Sequence, residues 1–97
     1  MTDQPQVRDN REAEQFEITV EGETAFLAYE RSADSLVLIH TKVPIALRSH
    51  HLSEILVKAT LAASAAEHLR IVVMCPFVKA YLRKHPEAAS GQNLSNP

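Results

Sequence analysis

The chain of 97 residues has no tryptophan, a single cysteine and only 5% aromatic residues. With so few rings, its core must be mostly aliphatic. One cysteine, Cys75, cannot close an internal disulfide, which fits a reducing, cytoplasmic setting. Neither sign of charge dominates: 10 Lys and Arg oppose 12 Asp and Glu, a formal net charge of −2. A general nucleic-acid or acidic-membrane binder would carry a basic field, and none is present. No apolar run approaches the roughly 20 residues that span a bilayer. The polar start MTDQPQVRDNREAEQ contains no signal peptide. These absences leave a small soluble domain, near the lower size limit for folding without staples.

What is present is an ordered change of pattern. Residues 1–6 and 88–97 offer little apolar surface and read as disordered tails around one domain, 7–87. FEITV (Phe16 to Val20) alternates with period two, EGE supplies a glycine turn, and TAFLAYE returns as a second strand. LVLIH (Leu36 to His40) is continuously apolar and β-branched, as for a central strand covered on both faces. After Pro44 the period becomes helical: Leu52, Ile55, Leu56, Ala59, Ala62, Ala63 and Ala66 form one stripe, with Glu54, Lys58 and Glu67 opposite. LRIVVMC (Leu69 to Cys75) is another buried-type strand. Pro76 then starts a short helix carrying Phe77, Val78, Tyr81 and Leu82, which ends at His85-Pro86.

The order β-β-β-α-β-α gives an α+β domain. Its first strands form an antiparallel meander, and its last two form a parallel pair joined by a right-handed crossover. A ligand crevice is expected at the carboxyl ends of the parallel strands, where His40 to Ser53 and Cys75 to Tyr81 converge. The helix N-terminus there offers free N–H groups to phosphate. Phosphate-binding loops are normally rich in glycine, and RSHHLS has none.

The segments LVLIHTKVPIALR, LSEILVKATL and LRIVVMCPFVKAYLRKHPE resemble the small GCN5-related N-acetyltransferase (GNAT)-like proteins, an abbreviated branch of that superfamily. The likeness extends upstream through VRDN and FEITVEGETAFLAY, covering about Val7 to Glu87. It implies a mixed sheet whose two parallel strands splay apart into an acyl-CoA cleft, with acetyl-CoA as cofactor and an unidentified amine, on a small molecule or a protein, as acceptor. It implies cofactor contacts from Thr41, Val43, Arg48, Ser49, His50, His51, Leu52, Ser53, Phe77 and Lys79. Cys75 would lie near the acyl group as a candidate nucleophile, His40 is a candidate base, and Tyr81 is a candidate acid for the departing CoA thiolate.

Each candidate has a plainer reading: a packed cysteine, a hydrogen-bonded strand-end histidine, a core tyrosine beside Phe77, a solvated Arg48. The sequence also departs from the family pattern. Ser49, His51 and Ser53 stand where glycines or a small residue are usual, and a histidine adds bulk where phosphate would press closest. Lys42 stands in place of an acidic residue, and Ala88 in place of an aromatic. No metal site is expected, because His50 and His51 diverge as neighbours and His68 and His85 lie in other elements. Two functions follow: an acetyl-CoA-dependent N-acetyltransferase, or a binding module on the same fold whose CoA site is impaired by the missing glycines.

Overall fold

The computed structural model describes residues 6–89 and 93–95, with backbone alone at 49, 50, 89 and 93–95. Its strands are β1 (Arg8–Asn10), β2 (Gln15–Val20), β3 (Glu23–Arg31), β4 (Ser35–Lys42), β5 (Arg70–Val73) and β6 (Asn93–Ser95). The helices are α1 (Leu52–Ala66) and α2 (Pro76–Lys84), with 3-10 turns over Ile45–His50 and Pro86–Ala89. All six strands join one sheet in sequence order. β1 to β4 pair antiparallel, while β4–β5 and β5–β6 pair parallel. The α+β class, the meander and the parallel crossover match the reading of the sequence.

The strand β6 corrects one expectation. Residues 93–95, inside the stretch read as a tail from 88, pair with β5, and Ala88 packs on the core. Main-chain pairing along an open strand edge needs no apolar sequence signal, so composition could not show it.

Glycine is scarce, and the backbone shows how the chain manages. Gly22 (φ 81) and Glu21 (φ 52) form the two-residue link between β2 and β3, where Val20 pairs with Glu23. Positive φ at both positions is the hairpin geometry that suits the strand twist. Elsewhere Glu14, His51 and His68 take left-handed conformations without being glycine. His68 (φ 57) closes α1: its N–H donates to the Ala65 carbonyl, and that of Leu69 donates to Ser64. This is the two-bond helix ending in which glycine is usual.

One sheet face carries the core. Phe16, Ile18, Ala25, Leu27, Tyr29, Leu36, Leu38, Ile71 and Val73 are all buried, and their cross-strand pairing puts them on the same face. The two parallel steps, β4 to β5 and β5 to β6, run in the same direction. Right-handed crossovers therefore place α1 and α2 together on that face. Phe26, Ala28, Val37, Ile39 and Val72 are only half-buried and stand outside the core cluster. β4 is thus covered on one face, not on both as its apolar run suggested. A buried strand and a half-buried one share that composition when no helix remains for the second face.

The buried stripe of α1 is also rotated from the expected one. Leu52, Leu56, Val57, Thr60, Leu61 and Ser64 face inward, while Ala62 and Ala66 are exposed. The Thr60 and Ser64 hydroxyls donate to the carbonyls four residues back, Leu56 (2.7 Å) and Thr60 (2.8 Å), so small polar side chains are buried with their hydrogen bonds made. The exposed alanines supply helix propensity rather than packing.

Candidate functional site: the split between β4 and β5

β4 and β5 stay paired only from Ser35↔Arg70 to Leu38↔Val73. The Met74 and Cys75 N–H groups both converge on the Leu38 carbonyl, at 2.9 and 3.0 Å, and β5 ends there. β4 continues through Ile39 to Lys42 with no partner strand on that side among the described residues. A bulge explains the divergence. β3 pairs Ala28 with His40 but Tyr29 with Leu38, so Ile39 is one residue too many. An inserted residue bends and twists its strand, here away from β5.

The bulge also reverses which residues face the helices. Before it, Leu36 and Leu38 point to the core; after it, Thr41 does, opposite Leu27. His40 and Lys42 turn to the bare face and are exposed. The His40 ring stands edge-on to Phe26 with centroids 5.6 Å apart. The Thr41 hydroxyl lies 3.4 Å from Cys75 Sγ across the split. Cys75, 1% exposed, precedes α2, and its carbonyl accepts from the Lys79 N–H at 3.0 Å. Tyr81, 7% exposed, lies about one and a half turns along α2. Of the three candidates for chemistry, Cys75 and Tyr81 therefore share the helix face and His40 stands on the other.

A cavity of about 420 Å³ opens at the split. Thr41, Val43, Arg48, His51, Leu52, Ser53 and Phe77 line it, seven of the expected cofactor residues. Lys79 does not line it and is exposed on α2, and the side chains of Ser49 and His50 lie outside the described residues. Two further charged residues line the cavity, Lys42 and Glu54. Helical periodicity assigned Glu54 to the solvent side of α1. Its position in the first turn was the signal that it borders an anion seat.

The wall formed by α1 combines features that suit an anion with one that opposes it. Among the described residues no side chain caps α1, which leaves its first N–H groups beside the cavity that Leu52, Ser53 and Glu54 line. Arg48 is exposed, with Nε 3.4 Å from the Val43 carbonyl. His51 is at once the end of the 3-10 turn and the start of α1, at φ 58 and ψ 34. The position where glycine matters for its left-handed freedom is indeed left-handed, and histidine accepts it at a cost of about 1 kcal/mol. Glu54 opposes the seat with its own negative charge.

A cavity of this size falls within the usual range for ligand sites, about 300–1,000 Å³. The helix N–H groups together with Arg48 suit a diphosphate. The unpaired edge of β4 suits an amide-bearing arm that pairs as a strand would. The donor set thus fits coenzyme A. Among the described residues no group of three His, Cys, Asp or Glu side chains could hold a metal ion. No described helix is long and apolar enough to cross a membrane.

A parallel pair that splits beside the N-terminus of the following helix is the arrangement the family resemblance implied, and sequence comparison agrees. The family model for GCN5-related N-acetyl-transferases matches residues 15–90. The chain is 32% identical over 84 residues to Protein NATD1 of Gallus gallus, across 84% of this chain and 76% of that protein. Protein NATD1 of Mus musculus is 31% identical over 83 residues, across 82% and 76%. That of Bos taurus is 32% identical over 83 residues, across 82% and 74%. The chain belongs to the GCN5-related N-acetyltransferase family.

Proposed function

We propose that the protein is an acetyl-CoA-dependent N-acetyltransferase that binds its acyl donor in the split between β4 and β5. The observation that carries the reading is the overhang of β4, four residues past its last pair with β5, beside the free N-terminus of α1. The first-turn amides of α1 and Arg48 hold the diphosphate. The main chain of Ile39 to Val43 pairs with the pantetheine amides, and Phe77 and Leu52 exclude water. Bound acetyl-CoA supplies an acyl carbon activated as a thioester.

The residues then divide the proton work. On attack, the acceptor nitrogen forms the new C–N bond and the C–S bond breaks. His40, on the bare face, takes the proton released by the amine, and Tyr81 gives one to the departing thiolate. Thr41 and Cys75 border the reacting centre. The Cys75 thiol is the place where an acyl group would rest if transfer ran in two steps.

Calorimetry and NMR titration with acetyl-CoA test the donor site, and thiol release in the presence of a primary amine tests the reaction. Heat of binding, shifts at Arg48 to Ser53 and amine-dependent thiol release are the expected results. No shifts at millimolar ligand would sink the proposal. A second reading rests on Glu54 and His51, which crowd the anion seat: an interaction module on this fold that binds CoA poorly. Binding without any thiol release would favour it.

A further inference from the structure

One face of α2 carries a feature that extends beyond the donor site to His85. Phe77, Tyr81 and His85 recur every fourth residue, and their rings form a ladder. Phe77 and Tyr81 centroids are 6.4 Å apart at 32°; Tyr81 and His85 are 4.7 Å apart at 37°. The ladder begins at the cavity, which Phe77 lines, and passes through the buried Tyr81 to the half-buried His85. Tyr81 is thus gripped by aromatic neighbours one turn before it and one turn after.

The His85-Pro86-Glu87 segment sets the last rung. A residue before proline is driven out of helical conformation, and His85 leaves α2 at φ −128, ψ 70. Its N–H still donates to the Tyr81 carbonyl at 2.9 Å, which keeps the imidazole over the preceding turn. Pro86 then starts a 3-10 turn that brings Glu87 back, with Oε2 3.3 Å from His85 Nδ1. The exposed Glu87 carboxylate thus lies beside the edge of the imidazole ring.

We infer that His85, held by Pro86 and Glu87, is a positioning residue that fixes the Tyr81 ring for proton donation in the acetyl transfer. This rests on the function proposed above. The clamp acts through ring stacking, so an aromatic substitute retains most of it. An aliphatic one frees Tyr81 to rotate, and misplacing a donor by a fraction of an ångström slows the chemical step without loosening the donor.

The test uses the full chain, acetyl-CoA and lysine methyl ester, with released thiol measured over a range of acetyl-CoA concentrations. His85→Ala is expected to lower kcat on the order of tenfold while KM for acetyl-CoA holds. His85→Phe is expected to recover at least half of the lost rate. With only two tyrosines and no tryptophan, the Tyr81 ring protons are resolvable by NMR. Their ring-current shift should vanish in His85→Ala and persist in His85→Phe. Either an unchanged kcat in His85→Ala, or a fall with the Tyr81 signals unmoved, overturns the inference while the wild-type turnover keeps the proposed function standing. A wild-type protein that releases no thiol removes both.

Discussion

The two ends of the parallel strands treat charge in opposite ways. At their amino ends, Arg31 reaches Glu67 at 2.8 Å and Asp9 at 3.6 Å, and Arg11 reaches the same two carboxylates at 3.1 and 3.0 Å. The network ties β1 and β3 to the C-terminus of α1, where Glu67 alone would oppose the helix field. Tyr29 adds its hydroxyl, donated to Asp9, and its ring, with the Arg31 guanidinium 5.6 Å above it. At the carboxyl ends, Lys42, Arg48 and Glu54 make no ion pair among the described residues and border a cavity instead. One end uses its charges to hold the fold, and the other leaves them unpaired beside a cavity.

The largest effect expected from breaking this contrast is at the open end. If Arg48 holds the diphosphate as proposed, Arg48→Glu should weaken acetyl-CoA binding by about 2 kcal/mol, roughly 30-fold. Calorimetry reads that change, and the unfolding midpoint in urea should stay where it was. Glu54→Gln should move affinity the other way by about twofold, the size of a single charge at a helix N-terminus.

At the closed end the signs exchange. Arg31→Met leaves Asp9 and Glu67 facing each other with only Arg11 between them. Stability in urea should drop by about 1.5 kcal/mol, a partly exposed network being weaker than a buried one. Acetyl-CoA affinity should be unaffected. A matching loss of affinity would show that the ends are coupled.

Tyr29 gives the closed end a signature in pH. Burial, then its hydrogen bond to the Asp9 carboxylate, push the phenol up to about 12 from the ordinary 10. Between these values the unfolded chain releases the proton and the folded chain keeps it, so stability falls as pH rises from about 10 to about 12. Absorbance titration at alkaline pH should show one tyrosine ionising near 12, and Asp9→Asn should bring it down.

The smallest effects compare the two left-handed histidines. His51→Gly and His68→Gly should each stabilise by about 0.5 kcal/mol, since relief of strain slightly exceeds the entropy glycine adds to the unfolded chain. Only His51→Gly should also tighten acetyl-CoA binding, because His51 alone lines the cavity. Equal effects of both on affinity would mean that His51 does not crowd the seat.

Much of this architecture was legible in the residues. The period-two and helical patterns located β2 to β5 and both helices, because the alternation of burial along an element depends on local geometry alone. The likeness of HTKVP and CPFVKAYLRKHPE to the family segments pointed to the split, and seven of the ten expected cofactor residues line the cavity there. What was not legible depended on register. An extra residue at Ile39 sends Thr41 to Cys75 and His40 to the bare face, a reversal no period count over Leu36 to His40 reveals. β6 was hidden because an edge strand is recruited through main-chain groups that every residue carries. The tie between Asp9, Arg31 and Glu67 joins residues up to 58 positions apart, and sequence separation says nothing of such neighbours. By itself the sequence determined β2 to β5, both helices, the family and the glycine-poor loop before α1. The tertiary structure alone decided which side chains meet at the split, because one inserted residue in a strand exchanges its two faces.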